Sequence, residues 1–440
     1  MSLPQAFIEK YKKLLKEDYH DFLASFDQPP VAGFRSNPLK EGQMSFEHPI
    51  ADTNWGYYGK VSGKSIEHVT GLVYSQEPAA QMVGQVAHPK PGMKVLDLAA
   101  APGGKTTHLL SYLNNTGLLV SNEINAKRSH VLAENVERFG ARNVIVTNES
   151  TERLAKVFPS FFDLIVFDGP CSGEGMFRKD PKAIPYWHED YPKELASLQK
   201  TILSDALAML APGGQLVYST CTWSPEENEE VATWLLEHKE LALVPIQASH
   251  GMTNSHLLPG TVRMYPHLFK GEGQFIAKFK DLREPVKTSK ISLKKVPKKT
   301  SLTKEQDNLW QAFCQKHLAV TLQGQYQTFG DHLYLLPEGL PNLSGLRITR
   351  NGLHLGTFKK KRFEPSFALG MALKPSEVIQ YIEMDIEQFE RYVAGHQIPL
   401  KTTYPNGWYQ VVIKGNGLGF AKVVGDQLKN AYPKGLRFYS

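Results

Sequence analysis

The stretch that most constrains this chain is the apolar run Phe161-Phe162-Asp163-Leu164-Ile165-Val166, continued by Phe167-Asp168-Gly169-Pro170-Cys171-Ser172-Gly173. The run reads as a buried strand. Its end brings an acid, a Gly-Pro turn and a thiol to the carboxyl edge of a sheet, where open α/β sheets bind their ligands. A second strand, Gln215-Leu216-Val217-Tyr218-Ser219-Thr220, ends in Cys221. Two of only three cysteines therefore stand just past two strand ends. The third, Cys314, lies in a helical run and reads as core packing. Without a C-x-x-C spacing, the three cysteines argue against a disulfide framework and a zinc site, so no metal is expected.

A nucleotide-type turn precedes this edge. In Lys94-Val95-Leu96-Asp97-Leu98-Ala99-Ala100-Ala101-Pro102-Gly103-Gly104-Lys105-Thr106-Thr107 a strand runs through small residues into a helix. Small residues let backbone approach a ligand, and the new helix presents free N–H groups. A phosphate-cradling P-loop needs G-x-x-x-x-G-K-[ST]. Gly104-Lys105-Thr106 fits it, but Ala99 replaces the first glycine and Pro102 removes a donor from the cradle. A nucleoside site fits better. The next strand, Leu118-Leu119-Val120-Ser121-Asn122, delivers Glu123 about 20 residues past the glycine turn, where an acid accepts from both ribose hydroxyls. Lys127-Arg128 opens the following helix, with Val131, Leu132, Val136 and Phe139 expected to face the sheet. A third strand, Val144-Ile145-Val146-Thr147, presents Asn148 and Glu149 toward an adenine amino group.

Two thiols and an acid beside an adenosine-type cofactor suit methylation of cytosine. Carbon 5 of that ring becomes nucleophilic once a thiolate adds to carbon 6. A carboxyl group at ring nitrogen 3 eases the addition, and a base must remove the carbon-5 proton before the thiol leaves. A free thiol has pKa roughly 8.5, so nearby cations would help, and Lys105 and Arg178-Lys179 are the candidates.

Residues 94–107, 168–179 and 219–228 resemble the motifs of the Sun/Fmu-type RNA (cytosine-5)-methyltransferases. Ala99-Ala100-Ala101-Pro102-Gly103-Gly104-Lys105 resembles their cofactor loop, Asp168-Gly169-Pro170-Cys171-Ser172-Gly173 their D-[AG]-P-C-S-G motif, and Ser219-Thr220-Cys221-Thr222 their S-T-C-[ST] motif. The resemblance implies S-adenosyl-L-methionine as cofactor, Cys221 as nucleophile and Cys171 as release catalyst, with Asp168 and Lys105 completing the catalytic set. The implied cofactor contacts are Ala99, Ala100, Ala101, Pro102, Gly103, Gly104, Lys105, Glu123, Arg128, Asn148, Glu149 and Asp168. One departure is that Asn148, Glu149 and Ser150 stand in a region where the family often has Asp.

The expected architecture is a doubly wound, Rossmann-like α/β methyltransferase domain over 76–282, preceded by a small N-terminal α+β RNA-binding domain over 1–75. Beyond it come a basic linker over 283–304, an intermediate domain over 305–375 and a PUA-like RNA-binding domain over 376–440. The PUA-like reading rests on the strand, glycine turn and strand from Trp408 to Val424 and on the segment Leu428 to Arg437. Other expectations are one or two N-terminal amphipathic helices over 6–26 and a short strand and turn over 31–38. Arg35, Asn37, His68, Arg263 and His267 are candidates for RNA contact, and a basic run, Lys359-Lys360-Lys361-Arg362, precedes Phe363-Glu364-Pro365. Leu195, Leu198, Ile202 and Met209 read as one apolar helix stripe, and Ser224-Pro225-Glu226-Glu227 as a helix start.

A net charge of +6 with pI near 8.9 permits a nucleic-acid partner. No apolar stretch approaches the ~20 residues of a membrane span, and the N-terminus lacks a signal-peptide core. A cytoplasmic monomer acting on RNA is expected. By its resemblance to ribosomal-RNA members of the family, the large C-terminal extension implies 16S ribosomal RNA ahead of transfer RNA. The alternatives are a P-loop-like NTPase and a catalytically idle RNA-binding assembly factor.

Overall fold

A computed structural model describes residues 3–284 and 302–439. The N-terminal segment holds α1 (Gln5–Leu15), α2 (Tyr19–Ala24), β1 (Gly33–Ser36), β2 (Gly56–Tyr58), α3 (Ile66–Val69) and β3 (Val73–Ser75). Its strands form a small sheet, β2-β1-β3. Phe7, Tyr11, Phe22 and Phe26 of the first helices and turns pack on Phe177, Trp187 and Trp223, which belong to the loops beyond the later strands. Helical spacing of apolar residues over 6–26 thus serves to clamp these loops.

The central unit comprises α4 (Pro78–Ala87), β4 (Lys94–Asp97), α5 (Gly104–Leu113), β5 (Leu118–Asn122), α6 (Ala126–Phe139), β6 (Val144–Thr147), α7 (Thr151–Val157), β7 (Phe162–Asp168), α8 (Tyr191–Met209), β8 (Leu210–Thr220), α9 (Glu229–His238), β9 (Leu241–Leu243), β10 (Met252–Asn254), β11 (Val262–Met264) and β12 (Gln274–Asp281). Strands β8-β7-β4-β5-β6 are parallel, and β12 joins β8 antiparallel. One apolar cluster under α7, α8 and α9 and another under α4, α5 and α6 cover the two faces. Burial on both sides is why these strands read as apolar runs without alternation.

The C-terminal part holds α10 (Lys304–His317), β13 (Gln325–Phe329), β14 (His332–Leu336), β15 (Ile348–Asn351), β16 (Leu353–Lys359), β17 (Arg362–Pro365), α11 (Phe367–Ala372), β18 (Tyr381–Glu383), α12 (Ile386–Val393), β19 (Ile398–Pro399), β20 (Gly407–Ile413), β21 (Asn416–Val424) and β22 (Gln427–Lys429). β13-β14-β16-β17 form one sheet and β18-β20-β21-β22-β19 another. β15 leaves this part to pair antiparallel with β6, closing that edge of the central sheet. β20 and β21 form the expected hairpin around Lys414-Gly415. The run Lys359–Arg362 turns the β16–β17 hairpin. The expected basic linker over 283–304 lies largely outside the described residues.

Several expectations need correction. Val131 is 46% exposed, so α6 meets the sheet through Leu132, Val136 and Phe139 alone. Leu198 is also exposed, whereas Met209 of the expected stripe is buried and Ile202 packs against the core, with Ala196, Gln199, Leu203, Ala206 and Leu207 completing the buried face of α8. Helix α9 starts at Glu229, not at Ser224-Pro225, because Glu227 turns inward to other partners. Arg35, Asn37 and Arg263 are buried and unavailable to RNA. Arg35 donates to Gln76, to the Gly104 carbonyl and to Thr107 Oγ1. Asn37 donates to the carbonyls of Gly71 and Phe139. Arg263 pairs with Glu229. His68 receives a hydrogen bond from Arg138 at its carbonyl, and burial with the Arg138 charge pushes its ring down to about 4. His267 lies against Phe22 and Tyr265.

Candidate active site

Adjacent parallel strands β7 and β8 pair Asp168 with Ser219 across the ladder. The register sets the chemistry, because each chain then turns and brings a cysteine to the same place. Cys171 Sγ and Cys221 Sγ lie 3.0 Å apart, and the Cys221 N–H donates to Cys171 Sγ at 3.3 Å. The hydrogen bond with Cys221, then burial, push the Cys171 thiol well above the ordinary thiol range. The two sulfurs thus share one hydrogen-bonded site at the ends of adjacent strands.

Asp168 is held on three sides. Ser219 Oγ donates to its Oδ1 at 2.7 Å and Gln274 Nε2 at 3.0 Å, while Lys105 pairs with Oδ2. Burial alone would lower the Lys105 ammonium, but Asp168 and Cys221 raise it, and the net direction is up. Lys105 is thus the cation paired with Asp168 beside the thiols, close enough to feel the Cys221 charge. Arg178 is not so placed, since it is buried in a bidentate pair with Glu272 at 2.9 and 3.0 Å. Lys179 is exposed.

Both cysteine turns are hung on buried groups that sequence reasoning missed. Ser172 Oγ donates to Thr222 Oγ1 at 2.9 Å, tying one turn to the other. Thr222 in turn donates to Glu174 Oε2 at 2.7 Å, and Trp187 Nε1 donates to Glu174 Oε1 at 2.9 Å. Tyr11 OH of α1 also donates to Glu174. On the other side, Glu227 Oε1 accepts the Ser172 N–H at 2.9 Å and Gln199 Nε2 at 3.0 Å. Gln199 also donates to the Pro170 carbonyl at 2.8 Å. The close packing beneath requires glycine. A Cβ on Gly175 would stand 2.6 Å from the Gly273 Cα and 2.7 Å from the Cys221 carbonyl oxygen. The Gly-Glu-Gly pattern at 173–175 was the signal for this contact, but its partner at 271–273 is remote in sequence.

The loop after β4 is equally constrained. Gly103 has φ +116°, and a Cβ there would meet Leu132 Cδ1 at 3.2 Å. Arg128 Nη2 donates to the Ala101 carbonyl at 2.8 Å, and Asn135 Nδ2 to the Pro102 carbonyl at 2.8 Å. The Ala100 N–H donates to the Asn122 carbonyl. Ala99 and Gly104 are half-buried, whereas Pro102 is exposed. Glu123, almost fully buried, accepts the Asn125 N–H at 2.9 Å and lies 3.5 Å from Arg128 Nη1. Behind it Asp97 accepts from Thr106 through Oδ2, while its buried Oδ1 has no hydrogen-bond partner among the described residues. Burial pushes the Asp97 carboxyl up to about 7 despite the Thr106 bond. Asn148 and Glu149 are placed differently from an open adenine contact. Asn148 Nδ2 donates to the carbonyls of Glu123 and Ile124. Glu149 is buried, accepts the Arg347 N–H at 2.8 Å and pairs with Arg153 and Arg347.

Comparison with known proteins gives this geometry its family. The model described as 16S rRNA methyltransferase RsmB/F matches residues 85–280, and that for the N-terminal domain of 16S rRNA methyltransferase RsmF matches 3–78. The RsmF first C-terminal domain matches 312–373 and the RsmF PUA domain 380–438. A ribosomal RNA small subunit methyltransferase F from Shewanella loihica is 32% identical, the match covering 99% of this chain and 96% of that protein. Its namesake from Vibrio cholerae is 31% identical over 99% and 98%. The chain belongs to the RsmB/F methyltransferase family. A solved methyltransferase homologue from Pyrococcus horikoshii is 30% identical with TM-score 0.55, covering 62% of this chain and 94% of that one. NSun6 from the same organism, crystallised with SFG, is 20% identical with TM-score 0.55 and shares the fold. The expected Rossmann-like methyltransferase domain with N-terminal and PUA domains is thus present. No helix among the described residues is long and apolar enough to cross a membrane.

Proposed function

We propose that this enzyme transfers a methyl group from S-adenosyl-L-methionine to carbon 5 of a cytidine in 16S ribosomal RNA, acting in the cytoplasm. The observation that carries this reading is the pair of thiols 3.0 Å apart at the ends of adjacent strands, beside Asp168. A binder that performs no chemistry has no use for both thiols. Relatives of nearly the same length are named for the small-subunit ribosomal RNA, and their N-terminal and PUA modules match here too.

The cofactor fits the residues at the β4 and β5 ends. Glu123 is the acid for the ribose hydroxyls, Gly103 and Gly104 bring backbone close, and the unpartnered Asp97 Oδ1 belongs to the same loop region. Arg128 braces that loop from outside. Asn148 shapes the floor through the Glu123 carbonyl, and Glu149 holds the β15 connection. When bound, S-adenosylmethionine supplies an electrophilic methyl group.

The chain's own residues supply the rest. Cys221 Sγ adds as thiolate to carbon 6 while the Asp168–Lys105 pair, oriented by Ser219 and Gln274, lends a proton through the Asp168 carboxyl to ring nitrogen 3 and recovers it on release. After methylation, Cys171 takes the proton from carbon 5, the 5,6 double bond reforms, and Cys221 leaves as thiolate. Preorganisation of both turns by Glu174 and Glu227 keeps the two sulfurs in place for this exchange.

Labelled methyl transfer to ribosomal and transfer RNA from cells lacking the protein, with nucleoside analysis of the product, tests the proposal. Labelled 5-methylcytidine confined to 16S RNA or its small subunit supports it. Label in transfer RNA alone, or cofactor binding without transfer to RNA or assembled subunits, overturns it.

A further inference from the structure

Glu227 is a buried acid beside the thiols to which neither addition nor methyl transfer assigns a task. Its Oε1 holds the Ser172 N–H and the Gln199 amide, yet its buried Oε2 has no hydrogen-bond partner among the described residues. Gln199 closes the bracket by donating to the Pro170 carbonyl. Cys171 is thereby gripped on both sides, at Pro170 and Ser172, by one carboxyl–amide unit. The groups whose negative charge opposes ionisation of Cys171 are Cys221, Glu227 and Asp168. Glu174 and the hydroxyl of Tyr218 stand beyond Glu227, the latter donating to Gln199 Oε1 at 2.8 Å.

These charges change during turnover. Once Cys221 Sγ is bonded to carbon 6, its negative charge no longer opposes ionisation of Cys171. Asp168 remains neutralised by Lys105. Glu227 is then the one anion of this set without a paired cation among the described residues. We propose that Glu227 is a positioning residue for product release, which fixes the Cys171 turn and sets through its own charge the pH at which Cys171 becomes the base. The proposal rests on the functional reading above. Its step balances, since the carbon-5 proton goes to the Cys171 thiolate, the electron pair forms the 5,6 bond, and the carbon 6–sulfur pair returns to Cys221. Burial, which outweighs the Ser172 bond, pushes the Glu227 carboxyl up to about 8, so its ionisation falls within the range of this titration.

The test is the decay of the Cys221–RNA adduct, measured by rapid quenching and denaturing gels from pH 6 to 10 with target RNA and S-adenosylmethionine. Glu227→Gln keeps an acceptor for the Ser172 N–H and removes the charge. It should move the midpoint of the decay profile down by about one pH unit. Gln199→Ala loosens the same turn without changing charge, and should slow decay at every pH while leaving the midpoint in place. An unmoved midpoint in Glu227→Gln, or an equal movement in Gln199→Ala, overturns the proposal. Absence of any wild-type adduct, or an adduct mapped to Cys171, would instead defeat the functional reading on which it rests.

Discussion

Cys171, Cys221 and Asp168 show how much two adjacent strand ends can specify. Each is legible in sequence, because an apolar run ending in a small-residue turn has few alternatives to a buried strand reaching the ligand edge. Glu123 is legible for the same reason. The ribose role proposed for it gives a prediction at this scale. Glu123→Ala should weaken S-adenosylmethionine binding about 10- to 100-fold, as expected for losing charge-assisted hydrogen bonds, while RNA affinity stays nearly unchanged. Calorimetry with cofactor and filter binding with RNA measure the two, and an equal loss of both would refute the ribose role. The residues that hold the thiols were not legible. Glu174, Gln199 and Glu227 receive their function from partners far away in the chain, and an acid in a charged stretch looks solvated until the fold buries it. Asn148 and Glu149 stand just past their strand as expected, but what the sequence could not show is β15 arriving beside them.

Among the elements, the segment from α9 to β12 is the buttress of the Cys221 turn. Arg263 on β11 is buried against Glu229 on α9, with Nε donating to Oε1 at 2.7 Å, and it also donates to the Trp223 carbonyl two residues past Cys221. Arg263→Ala leaves the Glu229 carboxylate buried and unpaired, which should cost about 3–5 kcal/mol of stability. The double substitution Arg263→Met with Glu229→Leu should recover most of that loss. Urea unfolding of wild type and both variants decides the matter, and a single variant as stable as wild type contradicts the buried pair. Helix placement shows where periodicity misleads. In α6 and α8 the apolar stripe was real but its exposed flank took Val131 and Leu198, because a stripe wider than the contact leaves one row outside. At α9 a Ser-Pro-Glu-Glu start was outcompeted by the inward turn of Glu227.

At the scale of the molecule, the three parts are joined by buried and half-buried polar contacts. Lys40 of the N-terminal part donates to the Met371 carbonyl at 2.7 Å, Asn416 bonds to the Gly42 backbone, and Arg142 pairs with Glu377. Burial, with Arg138 and Arg142 nearby, pushes the Lys40 amine down from 10.5 to about 7. The unfolded chain therefore binds more protons between these values, and this group makes stability rise with pH across that window. Lys40→Met should remove the dependence, so its stability relative to wild type should fall from about pH 7.5 to about pH 9.5 in denaturant melts. Parallel curves would refute it. This joining also explains why one chain both carries the chemistry and presents its N-terminal and PUA modules at a set distance from it. The assignment of the two thiols is the core of the account, and trapping tests it most directly. Target RNA incubated with S-adenosylmethionine and Cys171→Ala should accumulate a covalent adduct that peptide mapping places on Cys221, while Cys221→Ala forms none. An adduct with Cys221→Ala, carried on Cys171, would contradict it.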